Sequence, residues 1–224
     1  MSSFCLKIFA CVFMLIDHIG FCLFPNILTF RIIGRLAFPM FAYQTALGYS
    51  HTKNKSKYIL RMLIFALVSQ LPFMFMKNMA GYSSFSTNIG FSLLISLLCL
   101  YTIDLFNKKR KKKNYYTLLL IFPLLLIGEL LKVDYAYYGP LMVMIFYVFK
   151  DLKKNFLPVL ILFLLATALF TYTSGSLLIQ YFAVLTLFIL LFYNGKKGKD
   201  IKYWFYTFYP LHMIILGLIK YFIV

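Results

Sequence analysis

Residues 4 to 24 read FCLKIFACVFMLIDHIGFCLF. The stretch is apolar apart from Lys7 near its start and an adjacent Asp17-His18 pair. As an α-helix rising about 1.5 Å per residue, it is long enough to cross the roughly 30 Å hydrocarbon core of a bilayer. A secretory signal would end in a small-residue cleavage site, whereas this run passes into Phe24-Pro25-Asn26 and reads as a retained first span.

Further runs of the same kind follow at Ile27–Tyr49, Tyr58–Met76, Asn88–Phe106, Tyr115–Leu131, Tyr135–Phe149, Phe156–Tyr172, Ser176–Tyr193 and Tyr203–Phe222. The sixth in order, Tyr135–Phe149, is short and reads as a tilted or half-buried helix. The pattern predicts an all-α polytopic membrane protein. It is one bundle of about nine transmembrane helices over residues 1–224, with no internal repeat and no connection long enough to fold alone.

Composition agrees with that reading. Of 224 residues, 62% are hydrophobic and only 13% are charged, too few to cover a soluble domain. A net charge of +17 on a soluble chain would suggest nucleic acid, but here the basic residues stand in blocks at the ends of spans. Lys7, Lys53, Lys55, Lys57, Arg61, the six from Lys108 to Lys113, Lys150, Lys153, Lys154, Lys196, Lys197, Lys199 and Lys202 all fall on one side of the predicted spans. Only Arg31, Arg35, Lys77, Lys132 and Lys220 fall in the other half, so the positive-inside rule gives an N-in, C-out topology and nucleic acid is excluded as a partner. The four cysteines, Cys5, Cys11, Cys22 and Cys99, lack the paired spacing of a zinc or redox site, and no metal is expected.

An ionisable group at mid-bilayer costs about 2.5 to 3.5 kcal/mol on insertion scales, so each one needs a partner, a wet cavity or a function. Asp17, His18, Arg31, Arg35, Gln70, Asn88, Glu129, Asp134, Tyr135 and Tyr138 all fall toward the outer ends of spans, and His212 near the middle of the last. They are expected to converge on one outward-biased cavity. Arg31 and Arg35 are four residues apart on one helix face, placed to hold two anionic groups or to bracket one carboxylate, with Asp17 the nearest partner. The plain alternative is a structural ion pair that fixes spans 1 and 2. His18 beside Asp17 is the candidate general base, against the reading of a hydrogen-bonded packing histidine. His212 is a second candidate, while His51 lies in a lysine-rich loop and reads as surface. Pro39 and Pro210 deprive Arg35 and Tyr206 of their helical hydrogen-bond partners and are expected to kink their spans.

Leu15-Ile-Asp17-His18-Ile-Gly20 followed by Arg31-Ile-Ile-Gly34-Arg35-Leu-Ala-Phe38-Pro39 resembles the opening of the TraX family. The resemblance continues through Ala46-Leu-Gly48-Tyr49-Ser-His51-Thr52, Ser69-Gln70-Leu-Pro72-Phe73, Asp134-Tyr135 with Tyr138-Gly139, Tyr193-Asn194-Gly195-Lys196-Lys197-Gly198 and Phe208-Tyr209-Pro210-Leu-His212. It implies a multi-pass protein of the bacterial plasma membrane, similar to the transmembrane acyltransferases. The family's namesake acetylates the N-terminus of conjugative pilin. The implied activity is transfer of an acetyl group from cytoplasmic acetyl-CoA to an amine or hydroxyl acceptor near the outer face, whether pilin, another secreted peptide or a surface polysaccharide.

Acyl transfer needs a base for the acceptor proton and positive charge where the oxyanion forms. His18 fits the first role, with Asp17 expected to orient its ring and His212 as the second candidate base. Arg35 with Arg31 fits the second role or anchors the donor. Arg31, Gln70, Asn88, Asp134, Tyr138 and Tyr209 are the expected substrate-binding residues. Arg61 and the glycine-flanked Lys196 and Lys197 are expected to meet the coenzyme A phosphates. A small transporter or channel, or a non-catalytic membrane assembly protein, are the competing readings.

Overall fold

The computed structural model describes residues 1–109, 116–175, 178–199 and 202–223. Residues 110–113 of the basic block, Tyr115 at the start of the fifth expected span and Ser176 at the start of the eighth lie outside them.

Helix α1 (Ser3–Cys22) begins where the Ser2 hydroxyl accepts from the Cys5 N–H at 3.3 Å. The second expected span is two helices, α2 (Leu28–Gly34) and α3 (Ala37–His51). Pro39 lies in the first turn of α3 and has no N–H to offer the Arg35 carbonyl, so the expected kink becomes a break at Arg35-Leu36. Helix α4 (Lys55–Met79) is capped by Asn54, whose side chain accepts from the Lys57 N–H at 2.9 Å. Then come α5 (Ile89–Lys109), α6 (Tyr116–Leu130), α7 (Tyr138–Val148) and α8 (Phe156–Ser174). The eighth expected span also divides, into a 3-10 segment, Leu178–Leu185, and a single short helix, α9 (Thr186–Leu191); α10 (Lys202–Ile223) ends the chain.

Among the described residues, α1, α4, α5, α8 and α10 are each long and apolar enough to cross a membrane, which marks a multi-pass membrane protein. The sixth expected span is α7, 11 residues long, or about 16 Å, roughly half the hydrocarbon thickness.

Hydrogen bonds define the two ends of the bundle. At one end the Ser3 and Phe4 N–H groups donate to the carbonyls of Lys196 and Lys197 at 2.8 and 3.1 Å, tying the start of α1 to the turn before α10. At the same end Asp104 of α5 accepts from the hydroxyls of Tyr49 of α3 and Tyr147 of α7, both at 2.9 Å. The Lys55 and Lys150 ammonium groups lie over the rings of those two tyrosines, at 4.1 and 4.8 Å. The opposite end carries Asp17, Arg31, Arg35 and the α6–α7 turn.

Large apolar side chains such as Leu71 and Leu130 face outward, whereas Ser69, Asn88, Ser92, Ser96, Thr167 and Thr186 are buried. That distribution suits helices in lipid, where small and hydroxylated residues let backbones approach. The closest approach that matters here joins α1 to α2: a Cβ on Gly20 would overlap the Phe30 Cβ, and one on Gly34 would overlap Asp17 itself. Gly20→Ala is therefore expected to lose on the order of 1 to 3 kcal/mol through overpacking, read as a lower thermal midpoint in detergent; an unchanged midpoint would mean that α1 and α2 do not meet this closely.

Candidate functional site

The site is assembled from α1, the α2–α3 break, the α6–α7 turn, the 3-10 segment and α10. Asp17 and His18 are consecutive on α1, so their side chains diverge by about 100° and serve different partners. The Asp17 carboxylate accepts from Arg31 Nη1 at 2.7 Å through one oxygen and from Arg35 Nη2 at 2.8 Å through the other. All three side chains are largely buried, with 25%, 12% and 14% exposure for Arg31, Arg35 and Asp17. The expected bracketing of one carboxylate by two arginines is what the structure contains. Gly34 makes it possible, because any side chain there would occupy the space of the Asp17 carboxylate.

Arg35 does more than pair with Asp17. Its Nε donates to the Arg31 carbonyl at 3.2 Å, and its Nη1 donates to the Tyr135 hydroxyl at 3.2 Å and to Gln180 Oε1 at 3.3 Å. The break in span 2 is closed from the far side by the Thr186 hydroxyl, which donates to the Leu36 carbonyl at 3.0 Å.

His18 is held by His212, not by Asp17. His18 Nδ1 lies 2.7 Å from His212 Nε2, and the ring planes are within 8° of each other with centroids 5.0 Å apart, the near-coplanar arrangement of an in-plane hydrogen bond. His212 Nδ1 is 2.8 Å from the Phe208 carbonyl, which can only accept. With neutral rings the protons follow: His212 carries its own on Nδ1, its Nε2 accepts from His18 Nδ1–H, and the lone pair of His18 is left on Nε2. Asp17 thus does not take the orienting role expected of it. His212, expected as a second base, presents its basic nitrogen to His18 and so acts as its holder.

His18 lines a cavity of about 50 Å³ together with Asp17, Gly34, Phe38, Asp134, Tyr135 and Tyr209. That is room for more than one water molecule. Asp134 and Tyr135 reach it from a turn clamped on three sides. Thr87 N–H donates to the Lys132 carbonyl at 3.2 Å, Asp134 N–H to the Thr87 carbonyl at 3.1 Å, and Gly139 N–H to the Tyr135 carbonyl at 3.0 Å. Tyr135 has φ +61° and Ala136 +37°, a left-handed conformation that non-glycine residues adopt only when their surroundings impose it. A second cavity, about 190 Å³, opens toward the lysine-bearing end and is lined by Lys7, Gln44, Thr45, Tyr58, Arg61 and others; Phe41 is a wall of both.

Other expected site residues are placed elsewhere. Asn88 Nδ2 donates to Gln70 Oε1 at 2.9 Å and to the Ala66 carbonyl at 2.8 Å, and Gln70 Nε2 donates to the Ser86 carbonyl at 2.9 Å. This pair buttresses the start of α5 and does not line the His18 cavity. Tyr138 is fully buried, its hydroxyl 3.2 Å from that of Thr167. Arg61 lines the larger cavity, whereas Lys196 and Lys197 lie in the turn that receives the α1 N-terminus, outside the lining of either cavity.

Two such cavities, sharing Phe41 as a wall, with a histidine pair and a doubly bracketed carboxylate at the smaller one, are formed by motifs scattered over the whole sequence. The model of the family described as TraX protein matches residues 2–220. The chain belongs to the TraX family. The probable fimbrial assembly protein FimC, serogroup H1, of Dichelobacter nodosus is similar to it, 26% identical over 246 residues that cover 99% of this chain and 97% of the relative. No solved structure matches. The TraX motifs quoted above include the residues that meet in space: Asp17 and His18, Arg31 and Arg35, Asp134 and Tyr135, Tyr209 and His212.

Gln180 is a site residue absent from the sequence expectations. Its signal was a polar side chain inside the apolar run 176–193, the same sign that singled out Gln70. Asp104, inside the run 88–106, carried that sign as well and proves to be a tie between helix ends. Because Asp17 offsets two largely buried guanidinium groups, Asp17→Asn is expected to cost about 3 kcal/mol of stability, measured by thermal unfolding in detergent; a cost below about 0.5 kcal/mol would show that the arginines find other counter-charges.

Proposed function

We propose that this chain is a membrane acetyltransferase that takes an acetyl group from acetyl-CoA on the cytoplasmic side and passes it to an amine or hydroxyl acceptor at the outer side of the bacterial plasma membrane. The observation that carries the reading is the bond from His18 to His212, which leaves the Nε2 of His18 bare on a residue that lines a cavity sharing Phe41 with a second cavity at the basic end. In this arrangement nine helical segments cross or enter the bilayer, the lysine-bearing end faces the cytoplasm and the C-terminus lies outside. Membership of the TraX family supports acetyl-CoA as donor, and the name of the FimC relative supports a pilus or fimbrial subunit as acceptor.

His18 Nε2 takes the proton from the acceptor nitrogen or oxygen as that atom attacks the thioester carbonyl. Negative charge then develops on the carbonyl oxygen, in the positive field of Arg35 and Arg31. As the C–S bond breaks, His18 returns the proton to the departing thiolate. Asp17 fixes the two guanidinium groups, and Asp134, which lines the same cavity as His18, positions the acceptor. Arg61 and Lys7 line the larger cavity and supply positive charge for the donor's phosphates.

Purified protein given labelled acetyl-CoA should release or transfer acetyl groups, and His18→Ala should lower that rate at least 100-fold with the fold intact. Undiminished turnover in the variant would remove His18 from the chemistry, and no acetyl-CoA turnover or binding in the natural sequence would instead favour a transporter or an assembly protein. Arg61→Gln is expected to raise KM for acetyl-CoA about tenfold with kcat nearly unchanged, the loss of one charged hydrogen bond to phosphate. A fall in kcat with unchanged KM would place Arg61 outside the donor site.

A further inference from the structure

Arg35 is the obvious group to receive the oxyanion, yet its donors are nearly all committed. Nε serves the Arg31 carbonyl, Nη1 serves both Tyr135 and Gln180, and Nη2 serves Asp17. Four of its five N–H groups are thereby spent within the protein. The Tyr135 hydroxyl is in the opposite condition. It accepts from Arg35 at 3.2 Å, which leaves its own proton to donate, and Tyr135 lines the same small cavity as His18.

The rest of Tyr135 is held for that purpose. Its ring stacks on Phe38 at 4.2 Å with an interplanar angle of 11°, and its backbone is in the left-handed region, fixed by the clamped turn described above. An ordinary β conformation at this residue would redirect the side chain away from Arg35.

We propose that Tyr135 is a catalytic residue whose O–H, polarised by the Arg35 guanidinium, donates directly to the thioester carbonyl oxygen as it becomes an oxyanion. The inference rests on the acetyl-transfer reading and refines it. Attack of the acceptor on the carbonyl carbon forms one bond and moves the C=O π pair onto oxygen. Tyr135 donates a hydrogen bond to that oxygen and keeps its proton. When the pair returns, the C–S bond breaks, and the proton that His18 took from the acceptor goes to the thiolate. The products are acetylated acceptor and free coenzyme A. Arg35 acts through Tyr135 and remains a positioning residue.

The test uses full-length protein in detergent, labelled acetyl-CoA, and hydroxylamine as a small acceptor, with His18→Ala defining the uncatalysed background. Tyr135→Phe keeps the stack on Phe38 and removes only the hydroxyl. It is expected to lower kcat about 100- to 1000-fold with acetyl-CoA affinity unchanged, the usual loss when one oxyanion donor is removed. Placing 3-fluorotyrosine at 135, whose phenol is the more acidic donor, should restore the rate. A Tyr135→Phe protein whose His18-dependent rate stays within about threefold of the natural sequence overturns the proposal, as does one that loses acetyl-CoA binding along with rate, which would make the hydroxyl structural. No acetyl-CoA turnover above a protein-free control in the natural sequence would sink the acetyl-transfer reading itself, an outcome separate from either of these.

Discussion

One carboxylate organises the end of this bundle opposite the lysine-bearing one. Asp17 accepts from Arg31 and Arg35 on its two oxygens, and both guanidinium groups come from a short helix and the break that follows it. In lipid a charge without a counter-charge is expensive, so this three-membered set must close for α1 and α2 to lie together at all. Its closure in turn depends on glycine at position 34 and on a proline at 39 that stops the helix from running straight through. Once Arg35 is fixed there, its remaining donors reach Tyr135 and Gln180, and so the α6–α7 turn and the 3-10 segment are drawn to the same place.

The histidine pair is the second consequence of the same geometry. Adjacent residues on a helix face different neighbours, so committing Asp17 to α2 leaves His18 to face α10. There His212, whose Nδ1 is engaged by the Phe208 carbonyl, can only accept from His18. The arrangement has the logic of a base held by a second polar group, with imidazole in place of the more familiar carboxylate. A neutral holder suits a site already supplied with positive charge by two arginines, because it adds no third ion to a buried region. The cavity lined by His18 and the larger one toward the lysine-bearing end share Phe41 as a common wall.

Much of this was legible in the sequence because lipid makes polar residues conspicuous. Asp17, His18, Arg31, Arg35, Asp134 and His212 each stood out as polar groups in or beside an apolar run, and all of them lie at or beside the site. Hydropathy could not say which partner each would choose. It made Gln70 and Asn88 look equivalent to Asp134, although an amide pair can satisfy itself and a carboxylate, having only acceptors, cannot. It also joined α2 to α3 and the 3-10 segment to α9, since both halves of each are apolar and the breaks arise from backbone hydrogen bonding. Tyr135 was noticed for its type and position, but its left-handed backbone comes from the bridge between Thr87 and Val133, a contact between loops that no periodicity announces.

The proposed chemistry depends on where two protons sit, and nitrogen NMR on histidine-labelled protein reports that directly. It requires His212 protonated on Nδ1, His18 protonated on Nδ1 and bare on Nε2, with a coupling across the hydrogen bond between His18 Nδ1 and His212 Nε2. A His18 ring protonated on Nε2, or two histidines without any coupling, would contradict it.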